Sequence, residues 1–156
     1  MDPNLERELF EAQRPTAPLH GILCGVDGTD QSEKAARWAA RLAAPFHAKL
    51  TLVSVLQLYR VPGLPEPTEA AEKQTIAALE GLLRDLSGSL KQPGLAIERL
   101  VRVGRPAEVL AELGSAPEID LLVIGSRGGS PLARALLGTV ADRLVRLTDK
   151  PVLIVR

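Results

Sequence analysis

Cysteine occurs once in the 156 residues, at Cys24. No intramolecular disulfide can form, and a cysteine-rich metal site is excluded. Histidine occurs twice, at His20 and His47. That leaves few candidates for a histidine metal cage or a catalytic triad. Aromatic residues make up 3% of the chain, so stacking platforms for single-stranded nucleic acid are scarce. An excess of either charge is also missing: 19 Lys and Arg balance 19 Asp and Glu. A broad electrostatic footprint for nucleic acid or anionic lipid is therefore not expected. No apolar run reaches the roughly 18 residues of a membrane span. The opening MDPNLERELF lacks the apolar core of a signal peptide. The expectation is a soluble protein of the cytoplasm.

What is present is a foldable composition, 46% hydrophobic and 24% charged, at a length that suits one domain. Met1 to about Leu19 is polar and carries Pro3, Pro15 and Pro18. Residues 1–19 are expected to form a flexible arm and residues 20–156 the domain. From His20 onward, apolar runs alternate with helical patterns. Gly21–Val26, Leu50–Leu56, Ala96–Val103, Ile119–Gly125 and Val152–Val155 read as strands. Between the first two lies a helix with Ala35, Trp38, Ala39 and Leu42 at helical spacing, capped by Asp30 or Ser32 and closed by Pro45. Trp38 is its expected core anchor. A long helix over about Glu69–Leu90 carries the stripe Ile76, Leu79, Leu83, Leu86, Leu90. Two more helices start near Pro106 and Thr139. Strands apolar on both faces, alternating with helices, predict a doubly wound α/β fold. Its single domain holds a five-stranded parallel sheet with helices on both faces.

Such sheets bind ligands beyond the carboxyl ends of their strands, where the strand order reverses. An order 3-2-1-4-5 places that crevice between the first and fourth strands. One lip is then Asp27-Gly28-Thr29, and the other is Gly125-Ser126-Arg127-Gly128. An aspartate leaving a strand ordinarily caps a turn. The glycines let backbone amides approach a bulky anion. Gly138, Thr139 and Val140 open the last helix, whose N-terminus offers unpaired amides and partial positive charge. Thr139 adds a hydroxyl, and Arg127 and Arg134 add charge-assisted donors. Together these features suit a di- or triphosphate. Cys24, inside an apolar strand, is expected to be a buried, inert thiol.

The spacing Gly125, two residues, Gly128, nine residues, Gly138-Thr139 resembles the G-x2-G-x9-G-[S/T] pattern of the ATP-binding branch of the universal stress protein family. Val26-Asp27-Gly28, Leu52–Val55, Val103-Gly104-Arg105-Pro106 and Lys150–Val155 look like further landmarks of that family, in order. The resemblance implies that Asp27, with Gly25 and Val26, lies by the nucleotide. It implies that Val55 touches the adenine. Gly125 and Gly128 would hold ribose and phosphates, with Ile124, Ser126, Arg127, Gly129 and Ser130 lining the turn, and Gly138 and Thr139, followed by Val140, would receive the phosphates. It also implies ATP as ligand with Mg²⁺ or Mn²⁺, and a homodimer through the strand Val152–Val155. Where the family often has histidine before that valine, Ser54 stands here. The last strand has no charge or proline to blunt an exposed edge, which independently favours pairing with a second copy.

Three function classes follow. The first is an ATP-binding, dimeric regulatory module of the stress response, acting on an unidentified protein partner and not a turnover enzyme. The second is an adenylating or slow ATP-hydrolysing enzyme on the same scaffold. The third is a dimeric adaptor that binds no nucleotide. Gly-x4-Gly-Lys-[Ser/Thr] and Gly-x-Ser-x-Gly are both missing, which leaves the enzyme reading without a motif.

Overall fold

The computed structural model describes residues 18–58, 62–63, 65–126 and 137–156. Among them, five strands and four α-helices alternate. They are β1 (Gly21–Gly25), α1 (Asp30–Ala43), β2 (Lys49–Leu56), α2 (Glu69–Leu90), β3 (Ala96–Val103), α3 (Pro106–Gly114), β4 (Leu121–Gly125), α4 (Thr139–Leu147) and β5 (Val152–Val155). A 3-10 turn, Ala44–Phe46, follows α1. Most of the arm expected over residues 1–19 lies outside the described residues.

The sheet is parallel throughout, in the order β3-β2-β1-β4-β5. The expected order and doubly wound class are therefore those of the molecule. Alternate side chains face opposite layers. Ile22, Cys24, Leu50, Leu52 and Val123 point to the layer of α1 and α2. Leu23, Val53, Leu122 and Ile124 point to that of α3 and α4. Right-handed crossovers require this division, because the chain winds outward from β1 to β3 and then returns to β4 and β5.

α1 corrects two expectations. Its N-cap is Thr29, whose Oγ1 accepts the Ser32 amide at 3.2 Å. Asp30 and Ser32 already lie inside the helix. Its buried face is Ser32, Ala35, Ala36, Ala39, Ala40 and Ala43. Trp38 is 42% exposed, with the Arg41 guanidinium 4.8 Å above its ring. An alanine face lets α1 lie close to the strands, and an indole would hold it away. The leucine stripe of α2 is as expected at its C-terminal end, where Leu83, Leu86 and Leu90 are buried, whereas Ile76 and Leu79 are only half-buried. The fourth strand starts at Leu121 rather than Ile119, because the Ile119 amide turns back to the Ala116 carbonyl.

At the amino ends of β1 and β4, Asp120 ties the two strands together. Its Oδ2 accepts the amides of His20 at 2.6 Å and Gly21 at 3.1 Å, and its own amide donates to the Gly21 carbonyl at 2.9 Å. The His20 amide is the main reason its carboxyl is held below the usual carboxylate range. Asp120→Ala is expected to lower unfolding stability by about 1–2 kcal/mol, the lower part of the range for bonds to a charged acceptor, since the group is partly solvated. A folded value below the unfolded one stabilises fully above roughly pH 4 and loses its effect as pH falls through the folded value. Urea denaturation should therefore show the gap between parent and variant shrinking in acid. A gap that is constant from neutral pH to pH 2 would contradict this origin.

Candidate functional site

Two strand exits meet at the order reversal. After β1, the Val26 amide still donates to Val53 O at 2.8 Å, and the Val26 carbonyl accepts the buried Ser54 Oγ at 2.8 Å. Ser54 therefore braces the exit of β1 from inside the fold. Val53 and Val55, its neighbours on the opposite face of β2, line the cavity. Asp27 then leaves the sheet, and Gly28 takes φ +83°, a conformation that favours glycine. Asp27 Oδ1 accepts both the Thr29 amide at 3.0 Å and Thr29 Oγ1 at 2.6 Å. The Asp27 amide donates to Ser32 Oγ at 3.2 Å, and that hydroxyl donates to Thr29 O at 2.9 Å. Asp27 is thus part of the cap of α1, and it also forms a lip of the cavity.

After β4, Ser126 is 4% exposed. Its amide donates to Val155 O at 2.7 Å, and its carbonyl accepts the Gly138 amide at 2.6 Å. Gly138 is the N-cap of α4 and contributes no side-chain cap. The first helical bond of α4 runs from the Asp142 amide to Gly138 O at 2.9 Å. The amides of Thr139, Val140 and Ala141 come before it and have no intrahelical acceptor. All three residues line the cavity.

The cavity has a volume of about 190 Å³. Of the expected site residues, Gly25, Val26, Asp27, Val55, Ile124, Gly125, Ser126, Gly138, Thr139 and Val140 all line it. Arg127, Gly128, Gly129 and Ser130, with Arg134, lie outside the described residues. Sequence reasoning missed Ser32, Val53, Pro106, Leu110 and Ala141 as lining residues. Val53 was within reach, two positions from Val55 on one strand face. Leu110 was not, because its place depends on Gly25: a Cβ there would sit 2.9 Å from Leu110 Cδ1.

The result is an apolar slot between β2 and α3 beside the start of α4, whose first amides have no intrahelical acceptor. α3 and α4 are linked at its side. Glu108 Oε1 accepts Arg143 Nε at 2.8 Å and Nη2 at 2.5 Å. That bond, first among its causes, holds the Glu108 carboxyl below the usual range. Among the described residues, no group of three or more His, Cys, Asp or Glu side chains could hold a metal ion.

The Universal stress protein family profile matches residues 19–156. Universal stress protein YxiE of Bacillus subtilis is 30% identical over 145 residues, covering 86% of this chain and 97% of that protein. Universal stress protein Rv2005c of Mycobacterium tuberculosis is 31% identical over 144 residues, covering 87% of this chain and 48% of that protein. The chain thus spans about half the length of that mycobacterial relative. Among solved structures, a universal stress protein in complex with cAMP is 28% identical with a TM-score of 0.69, covering 90% of this chain and 99% of that chain. The chain belongs to the universal stress protein family.

Cys24 lies beside the site but inside the sheet, fully buried, and burial pushes its thiol up to about 12. In native protein at pH 8 it is expected to resist a disulfide-exchange reagent, and to react with one equivalent once urea unfolds the chain. Rapid labelling of the native protein would contradict this burial.

Proposed function

We propose that the chain is an ATP-binding regulatory module of the stress response that works as a homodimer. The observation that carries the reading is the set of three amides without an intrahelical acceptor at the start of α4, on residues that line a cavity with apolar walls. The base would lie in the slot of Val53, Val55, Pro106 and Leu110. The phosphates would take the amides of Thr139, Val140 and Ala141. Asp27 uses Oδ1 for capping, so Oδ2 is the oxygen left to accept from a sugar hydroxyl. The glycine spacing through Gly128 and the cAMP bound by a relative support an adenine nucleotide.

A divalent ion enters this reading as part of the ligand. Among the described lining residues the one carboxylate is Asp27, and besides Thr139 the hydroxyls are those of Ser32 and Ser126, which already bond within the fold, so phosphate oxygens would supply most of its coordination. Among the described lining residues there is also no histidine or lysine to act as a base, which supports binding over turnover. Among the described residues no helix is long and apolar enough to cross a membrane. The unpaired Cys24 suits a reducing compartment, which supports placing the module in the cytoplasm.

Titration calorimetry of nucleotide-stripped protein with ATP and Mg²⁺ is expected to give one site per chain. At a hundredfold excess over Kd the ligand should add about 2.7 kcal/mol of stability. Gly138→Val should weaken binding at least about tenfold by crowding the phosphate approach. No binding, and no adenine nucleotide released from freshly purified protein on denaturation, would favour the nucleotide-free adaptor. Phosphate release well above a blank, abolished by Asp27→Ala, would favour the enzyme.

The dimer rests on the contrast between the two sheet edges. β3 carries Glu98, Arg99 and Arg102, and Glu98 pairs with Lys49 of β2. β5 carries no charge, and Val152, Leu153 and Ile154 are only half-buried. An apolar, uncharged edge is a surface that proteins ordinarily cover. Light scattering at micromolar concentration is expected to give the mass of two subunits, and the mass of one would remove this part of the reading.

A further inference from the structure

Gln31, in the first turn of α1, reaches the site from behind. Gly125 lies so close to it that a Cβ there would sit 3.2 Å from the Gln31 carbonyl carbon and oxygen, and 3.3 Å from its Cβ. A side chain at Gly125 would make the helix backbone give by a few tenths of an ångström. The approach sets Gln31 over the next residue, and Ser126 Oγ donates to Gln31 Oε1 at 3.0 Å. Ser126 is nearly inaccessible to water, so this bond is shielded and sensitive to geometry.

The same serine holds Gly138 through its carbonyl and Val155 through its amide. Gly138 has no side chain with which to fix the first turn of α4. The direction of the first three amides of α4 is therefore set from outside the helix, through Ser126. Gln31 itself does not line the cavity.

We propose that Gln31 is a positioning residue that, through its hydrogen bond to Ser126, aims the N-terminus of α4 at the ligand's phosphate group. The inference rests on the nucleotide reading above. It separates two parts of the ligand. The base slot is built by β2 and α3, and Gln31 is not among its lining residues, whereas the phosphate amides are held by the residue that Gln31 orients. A general loosening of the fold would weaken base and phosphate binding alike. Loss of aim would weaken phosphate binding alone.

The test is the Kd of adenosine and of ATP, measured by calorimetry for the parent, Gln31→Met, Gln31→Glu, Ser126→Ala and the Gln31→Met/Ser126→Ala pair. Gln31→Met keeps the volume and removes the acceptor. It is expected to weaken ATP about five- to tenfold and leave adenosine within about twofold, the size of one hydrogen bond. Gln31→Glu keeps an acceptor oxygen and should restore ATP binding to within about threefold of the parent. Ser126→Ala should likewise weaken ATP and spare adenosine, and the pair should lose less than the sum of the two, because both remove the same hydrogen bond. A Gln31→Met variant with an unchanged ratio of ATP to adenosine affinity would overturn the positioning role while leaving the nucleotide reading intact. So would additive losses in the pair. A parent that binds neither ligand would overturn both.

Discussion

β1 pairs on one side with β2 and on the other with β4, and both pairings are parallel. Each parallel pair needs a crossover helix. The helix leaving β1 covers one face of the sheet, and the helix leaving β4 covers the other. The helices that follow the carboxyl ends of these two strands therefore lie on opposite faces, and among the described residues no connection fills the space between those ends. The lip at Asp27, the root of the next segment at Ser126 and the start of α4 all border that gap. Asp120 secures the opposite end of the same strand pair, so the crevice is one end of a joint that is bolted at the other.

Small residues decide how tightly the crevice is drawn. The alanine face of α1 brings the helix down onto β1 and β4, and Gly125 accepts the Gln31 backbone at a distance that would be tight for any side chain. Gly25 does the same for Leu110 on the other face. A larger residue at either glycine would widen one wall or close the slot. The exposed Trp38 reflects the same constraint, because the interface beneath α1 has room for methyl groups and not for a ring.

This also explains what could be read from the chain in advance. Strand and helix identity followed from apolar runs and spacing, since both layers are continuous and the elements are regular. Placing Gly138 and Thr139 needed only the general rule for helix N-termini. Trp38 misled because alanines on its own helix hid the true buried face: hydrophobicity alone ranks a tryptophan above an alanine, whereas close packing ranks them the other way. The cap at Thr29 was hidden because Asp27, Thr29, Asp30 and Ser32 are all capping residue types within six positions. Leu110 and Gln31 were illegible for a deeper reason. Each owes its place to a glycine on a strand distant in sequence, and no local pattern records that contact.

On the proposed reading the described part of the site recognises charge with dipoles. Its phosphate-facing donors are backbone amides, held by the helix and by Ser126, and its walls are apolar. Such donors keep their strength at any pH where the fold survives, since none of them titrates. They are also preorganised, so binding does not first have to order flexible cationic side chains. On the proposed reading this separates holding a nucleotide from transforming it. Amides directed at a bound phosphate favour the ground state and the transition state to similar degrees, and catalysis requires that difference to be large. A module that reports the presence of a nucleotide needs only the first property.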